Sequence, residues 1–292
     1  MKTGKIYALG FFDGVHLGHQ ALLTACKRLA QEKDCLPGVV TFDTHPDALV
    51  QNSAPPLINT VEERQRLFLG HRISHILVLP FDEALMRLSW QSFLEQLMAQ
   101  GAAGFVCGED FRFGHKGQGN AQLLADFCRQ RNMPYAIVSA QLLDGIRISS
   151  TYIRQLIAAG QMEEAAKFLG HPHVLSGVVV SGRKLGRTIG IPTANLQVPA
   201  GVILPPRGVY ACKVIAEGNE YAAVTNVGSR PTVGGHHVTV EPWILDFEGD
   251  LYGKQISVAF YKFLRPEKKF DSLEQLQVEI QKNAEETRKF FA

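Results

Sequence analysis

The chain has 292 residues, long enough for two domains of ordinary size, with 46% hydrophobic and 20% charged residues and a formal net charge of +2. This is the composition of a globular protein with a full core, and a charge so close to neutral gives no global basic field for nucleic acid or a membrane surface, so any anion must be held by local sites. The five cysteines (26, 35, 107, 128 and 212) form no CxxC pair, which fits reduced thiols in a cytoplasmic protein, and no apolar run is long enough for a bilayer span or a signal peptide.

The first half alternates short apolar runs with helical patterns. KIYAL (5–9), GVVTF (38–42), HILVLPF (75–81), GFVCG (104–108) and YAIVSA (135–140) read as strands. The helix after the first carries Leu22, Cys26, Leu29 and Ala30 on one face. Thr60 with Glu63 makes a capping box for the next helix, and Gly101 ends the helix that begins near Ser89. Residues 120–132 supply a further helix. Such alternation implies βαβ units and a parallel sheet with helices on both faces, whose ligands lie beyond the carboxyl ends of the strands. Two short helices follow, stopped by Gly160 and Gly170.

The pattern then changes. Five strand-like runs, at 177–182, 208–216, 221–227, 238–247 and 255–264, are punctuated by Gly, Pro and Asn. They imply a small antiparallel barrel. A terminal helix begins at Ser272 with Gln275 at the capping-box position. Leu273, Leu276, Ile280 and residues 287–290 share the face expected to pack on the barrel. The fold class is therefore α/β followed by β, with domains at 1–170 and 174–292.

Two stretches in the first half carry chemistry. In GFFDGVHLGH (10–19), His16 and His19 fall where the first strand gives way to a helix. A helix N-terminus attracts anions, and the glycines at 10, 14 and 18 allow a phosphate close to the backbone. Two imidazoles at i and i+3 can then donate to one phosphoryl group. The alternatives are core histidines or metal ligands, although zinc helices favour i, i+4 with an acidic residue between. RISSTYIR (147–154) places Ser150, Thr151 and Arg154 at a helix start, where hydroxyls, amides and a guanidinium can converge on phosphate oxygens, or simply cap the helix.

Together these stretches resemble the HxGH and serine–threonine–arginine motifs of bacterial bifunctional riboflavin kinase/FAD synthetases, as do TFDTHP (41–46) and GEDFRFGHKGQGN (108–120). The resemblance implies a Rossmann-like nucleotidylyltransferase domain. In it His16 and His19 are catalytic, and Gly10, Phe12, Asp13, Gly14, Gly18, Ser150, Thr151 and Arg154 bind ATP phosphates. Gly108, Asp110, Phe111 and Arg112 shape the flavin and nucleotide cleft.

In the second half GRKLGRTIGIPTANL (182–196) resembles the ATP-binding signature of riboflavin kinases. It implies an ATP loop at Gly182, Arg183, Gly186, Arg187, Gly190 and Pro192, with Thr193 and Asn195 as hard oxygen ligands for Mg²⁺. By strand alternation Glu241 shares a face with Thr239 and is either an exposed strand residue or a site residue. The resemblance makes it the general base for the riboflavin 5′-hydroxyl, with Asn226, Arg230 and Thr232 near the same face. Asn283 stands where many relatives have an acidic residue and reads as peripheral. The implied enzyme phosphorylates riboflavin with Mg-ATP and adenylylates FMN to FAD. Its partners are riboflavin, FMN, FAD and ATP, with no nucleic acid, no membrane and no tightly bound organic cofactor. The alternative class is a non-catalytic flavin or nucleotide sensor on the same folds.

Overall fold

The structure, a computed structural model, describes residues 4–50, 53–182, 190–232 and 235–292. The chain divides into two compact units, Met1–Ser150 and Thr151–Ala292. The helical residues 151–169, counted with the first domain on sequence, group by contacts with the second unit.

In the first unit the elements follow in chain order as β1 (Lys5–Leu9), α1 (Leu17–Glu32), β2 (Leu36–Phe42), α2 (Pro46–Val50), α3 (Val61–Gly70), β3 (His75–Leu79), α4 (Glu83–Arg87), α5 (Trp90–Ala99) and β4 (Ala102–Gly108). There follow β5 (Arg112–Phe113), β6 (Gly119–Asn120), α6 (Ala121–Gln130), β7 (Tyr135–Val138), β8 (Leu142–Leu143) and β9 (Ile146–Arg147). The five strands expected from the apolar runs form one parallel sheet in the order β3-β2-β1-β4-β7. Alternate residues of β1 feed two cores. Tyr7 and Leu9 pack with Phe93 and Leu97 of α5 and Leu124 of α6, while Ile6 and Ala8 pack with Leu23 and Cys26 of α1 and Phe68 of α3. Because β1 lies between β2 and β4, its carboxyl end is the switch point where open α/β sheets bind ligands. The His16–His19 stretch follows β1 and the 108–120 stretch follows β4, so both fall at that point.

Helix α7 (Ser150–Ala158) starts at the unit boundary, and α8 (Met162–Leu169) follows it. The barrel comprises β10 (His173–Val180), β11 (Asn195–Gln197), β12 (Gly208–Ala216), β13 (Asn219–Thr232), β14 (Gly235–Ile244) and β15 (Gln255–Arg265), closed in the order β10-β11-β14-β13-β12-β15. It has six strands where the sequence suggested five. The additional one, β11, lies inside the PTAN stretch and owes its strand state to pairing with β10 and β14.

The terminal helix α9 (Leu273–Phe291) begins as expected, with the Ser272 side chain accepting from the Gln275 N–H at 3.2 Å. Its packing face is the expected one at Leu276, Ile280 and Thr287, and stops short of it at both ends. Asn283, Ala284 and Thr287 are buried against Val209, Val224 and Leu245, while Leu273 and Phe290, near its two ends, remain exposed because the contact centres on turns between them. Asn283 is no bystander. Its Oδ1 accepts from Arg265 Nε at 3.1 Å, and Glu279 lies 3.3 Å from the same nitrogen, which ties α9 to the end of β15.

Candidate active sites of the two units

The β1–α1 loop is held in a strained form. Phe12 (φ 61°), Gly14 (φ 83°) and the β-branched Val15 (φ 38°) all lie in the left-handed region, which such residues enter only when their surroundings dictate it. The surroundings are visible. The buried Asp13 carboxylate accepts from the Ile58 and Asn59 amides at 2.9–3.1 Å, and the Ser150 hydroxyl donates to Asp13 O at 2.9 Å. The Phe12 ring is buried and meets Phe68 edge-on at 5.4 Å. The phosphate contacts expected of Phe12 and Asp13 therefore do not fall to their side chains. One ring is in the core and one carboxylate is taken up by amides, and both fix the loop's backbone.

His16 is the N-cap of α1 rather than a residue of its first turn. Its Nδ1 accepts from the His19 N–H at 3.2 Å, which leaves Nε2 as its donor. The His16 and His19 rings stack at 3.6 Å with 13° between their planes. Gly18 makes room for this, since a Cβ there would lie 3.2 Å from the His16 ring. Burial, reinforced by His16 and by Arg64, pushes the His19 imidazole well below the ordinary histidine range. At neutral pH it is thus an uncharged ring with one N–H to donate. Stacked rings carry their nitrogens along their edges rather than toward a shared point, and His16 Nδ1 is occupied, so this geometry lends the metal alternative no support.

Around the loop stand residues from β2, α3 and the 108–120 stretch. Phe11 meets His45 edge-on at 4.7 Å. Asp110 pairs with Arg147 at 2.5 Å on the surface, linking the loop after β4 to the β8–β9 hairpin. Phe111 stacks on Phe113 at 5.4 Å, and Arg112 is exposed. Through Ser150 the start of α7 is joined to the β1–α1 loop, and Thr151 and Arg154 continue that helix. Arg64 belongs to none of the motifs. It is fully buried, donates to Phe11 O (2.6 Å), Thr41 Oγ1 (2.8 Å) and Phe42 O (2.8 Å), and lies 4.4 Å over the Phe11 ring. A signal was present: Arg64 is four residues from the core residue Phe68, on the same helix face.

In the second unit the register assembles the expected kinase residues. Leu196 of β11 pairs with Val240 of β14, and Ala194 N–H donates to Pro242 O at 2.9 Å. Asn195 therefore stands opposite Glu241, which in turn pairs with Asn226 of β13. The three form a row across neighbouring strands on the outer barrel face, because Val240, Pro242, Leu196 and Val227 beside them are buried. Gly182 presses on the same row: a Cβ there would lie 2.2 Å from Asn195 Nδ2. A carboxylate not anticipated from sequence, Glu267, also reaches this face, with its Oε1 2.8 Å from the Cβ position of Gly228 and Asn226 Nδ2 2.9 Å from it. Thr193 lines an open cleft with Pro192, Ala194, Phe247, Asp250 and Tyr252. Gly190 is exposed with φ 73°. Arg183, Gly186 and Arg187 lie outside the described residues, as do the side chains of Arg230 and Thr232.

A parallel sheet with a histidine-capped helix at its switch point, followed by a closed barrel bearing an Asn/Glu/Asn row, defines a two-module nucleotide-using enzyme. Residues 1–152 match the family model for FAD synthetase, and residues 169–291 that for riboflavin kinase. Over 292 residues the chain is 36% identical to the bifunctional riboflavin kinase/FMN adenylyltransferase of Listeria monocytogenes, covering 99% of this chain and 93% of that protein. The proteins so named from Bacillus subtilis (34% identical, 100% and 94% covered) and Escherichia coli K12 (36%, 99% and 94%) are similar. The chain belongs to the bifunctional riboflavin kinase/FMN adenylyltransferase family. A crystal structure from Streptococcus pneumoniae described as a macrolide-efflux protein superposes with a TM-score of 0.89 at 32% identity, covering 99% of this chain and 95% of that one. Among the described residues no helix is long and apolar enough to cross a membrane.

Proposed function

We propose that domain 174–292 phosphorylates riboflavin with Mg-ATP and that domain 1–170 transfers AMP from a second ATP to the FMN produced. The observation that carries this reading is the row Asn195–Glu241–Asn226 in one unit, with the His16–His19–Ser150 constellation in the other.

In the kinase reaction the riboflavin 5′-hydroxyl oxygen bonds to the γ-phosphorus of ATP, ADP leaves, and Glu241 takes the hydroxyl proton. Glu241 serves by position, at the outer barrel face beside the amides of Asn195 and Asn226. The cleft beside Thr193 offers apolar walls at Pro192, Ile244, Phe247 and Tyr252 to a nucleotide base. Among the described residues no group of three or more His, Cys, Asp or Glu side chains could hold a metal. A cation here would take most of its ligands from phosphate and water, the habit of Mg²⁺, with Thr193 and Asn195 as the protein's oxygen donors. Bound there, Mg²⁺ neutralises charge on the transferring phosphoryl group.

In adenylyl transfer an FMN phosphate oxygen bonds to the α-phosphorus of ATP and the bond to the β-phosphate breaks, releasing pyrophosphate. His16 Nε2 and the neutral His19 donate to the triphosphate as negative charge moves onto the leaving group. Ser150, joined to the β1–α1 loop, serves its outer phosphates. Both reactions need positioning and charge stabilisation rather than a covalent enzyme intermediate.

The test is product analysis by chromatography. The protein with riboflavin and Mg-ATP should give FMN and then FAD, and supplied FMN should give FAD and pyrophosphate. FMN without FAD would leave one active module, and binding without turnover would restore the sensor alternative.

A further inference from the structure

Arg64 is the largest fully buried side chain among the described residues. Its three hydrogen bonds all run to neutral oxygens, Phe11 O, Thr41 Oγ1 and Phe42 O, and its buried Nε has no partner among the described residues. Asp13, the carboxylate that acts on it most strongly, is already occupied by the Ile58 and Asn59 amides. A guanidinium buried this way is expensive for a fold to keep, because neutral acceptors do not replace its hydration. Its acceptors are the carbonyls just beyond β1 and at the end of β2, the sheet edge where an anionic ligand would dock.

We infer that Arg64 is a positioning residue for adenylyl transfer, clamping the carbonyl ends of β1 and β2 beneath the His16–His19 loop and setting a positive charge behind a phosphate bound there. This rests on the proposed adenylyltransferase reading of the first unit. The clamp explains how the strained Phe12–Val15 backbone keeps its shape, since Phe11 O is fixed by both Arg64 and the Thr41 hydroxyl at 2.8 Å. The charge has a second consequence. The titratable and charged groups acting on His19 are His16 from its own loop and Arg64 from α3, and those acting on Arg64 are Asp13, Glu62 and Asp43. Arg64 disfavours a second positive charge on His19 and so keeps that ring in its uncharged form down to lower pH.

The experiment uses the full chain as Arg64→Met and Arg64→Lys, with steady-state FAD formation from FMN and Mg-ATP measured across pH 5–9. Riboflavin phosphorylation by the same preparations reports the integrity of the other module. Arg64→Met should lower kcat for FAD formation by about 10²-fold, the scale of a small displacement at a positioned site, and move the acid limb of the profile to higher pH. Arg64→Lys should lower kcat while leaving the acid limb in place, because it keeps the charge and loses the fork. A purely structural role would reduce the amount of active protein without moving that limb. If Arg64→Met forms FAD at the wild-type rate with an unmoved acid limb, the inference is overturned. If Arg64→Met fails to fold, Arg64→Lys decides, and a wild-type rate in that variant overturns the clamp. A wild-type protein that makes no FAD from FMN would instead overturn the adenylyltransferase reading itself.

Discussion

Gly182→Ala offers a clean separation of catalysis from folding. A Cβ at this position would sit 2.2 Å from Asn195 Nδ2, 2.6 Å from its Cγ and 2.8 Å from its Oδ1. Ordinary contact begins near 3.4 Å, so the amide nitrogen must retreat by about 1.2 Å, the difference between 3.4 and 2.2 Å. The atoms displaced are the far end of a side chain on the outer barrel face, not backbone, so the amide can swing away and the barrel survives. The oxygen proposed to hold the metal moves with it. A misplacement of that size costs about 10²-fold in rate, or about 2.7 kcal/mol in the barrier. Initial rates of FMN formation from riboflavin and Mg-ATP should fall accordingly. FAD formation from supplied FMN should be unchanged, and the melting temperature should stay within about 3 °C of wild type. A Gly182→Ala protein that phosphorylates riboflavin at the wild-type rate would refute the placement of Asn195 in the site. Equal loss of both activities with a lowered melt would show that Gly182 serves the fold instead.

His19→Ala should lower kcat for FAD formation by about 10²-fold or more and leave riboflavin phosphorylation intact; unchanged FAD synthesis would remove His19 from the site. Because its ring stacks on His16 and meets Phe12 edge-on at 5.1 Å, the same change should also cost about 1 kcal/mol of stability, visible in a chemical melt, where a ring in an open cleft would cost nothing. Glu241→Ala should abolish FMN formation while FAD formation from supplied FMN survives, and near-normal kinase turnover would defeat the base role. His173 is buried in the barrel, and its imidazole is lowered to about 4 chiefly by burial. The unfolded chain therefore takes a proton near pH 6.5 that the folded one refuses until about pH 4. Stability from this group is complete above pH 6.5 and falls by up to about 3 kcal/mol as pH drops toward 4. Melts at pH 7.5 and 4.5 should show a smaller loss in His173→Gln than in wild type, and identical losses would exclude the histidine as the cause.

What the sequence made legible was set by near neighbours along the chain. The capping boxes at Thr60 and Ser272 formed as read, because both partners lie within one turn. The five sheet strands followed from their apolar runs. The element it hid, β11, has three residues and no pattern of its own, and it exists only because β10 and β14 flank it. The same division governs the site. His16, His19, Asn195 and Glu241 stood out by motif, yet the motif gave no sign that the Phe12 and Asp13 side chains turn inward. Their direction is fixed by Phe68 and by the amides of Ile58 and Asn59, more than forty residues away. Arg64 is the converse case. Nothing beside it in sequence marks it, and its acceptors lie 22 to 53 residues upstream. Only its phase betrays it: a charged residue one turn before a core phenylalanine, on a helix with other places for a solvated arginine. A charge placed on a buried face and bonded only to neutral oxygens is costly to desolvate, and folds keep such groups where something else offsets the cost. That argues for reading charges out of phase with their helix as site candidates on a par with motif residues, and here it leads to the floor of the β1–α1 loop.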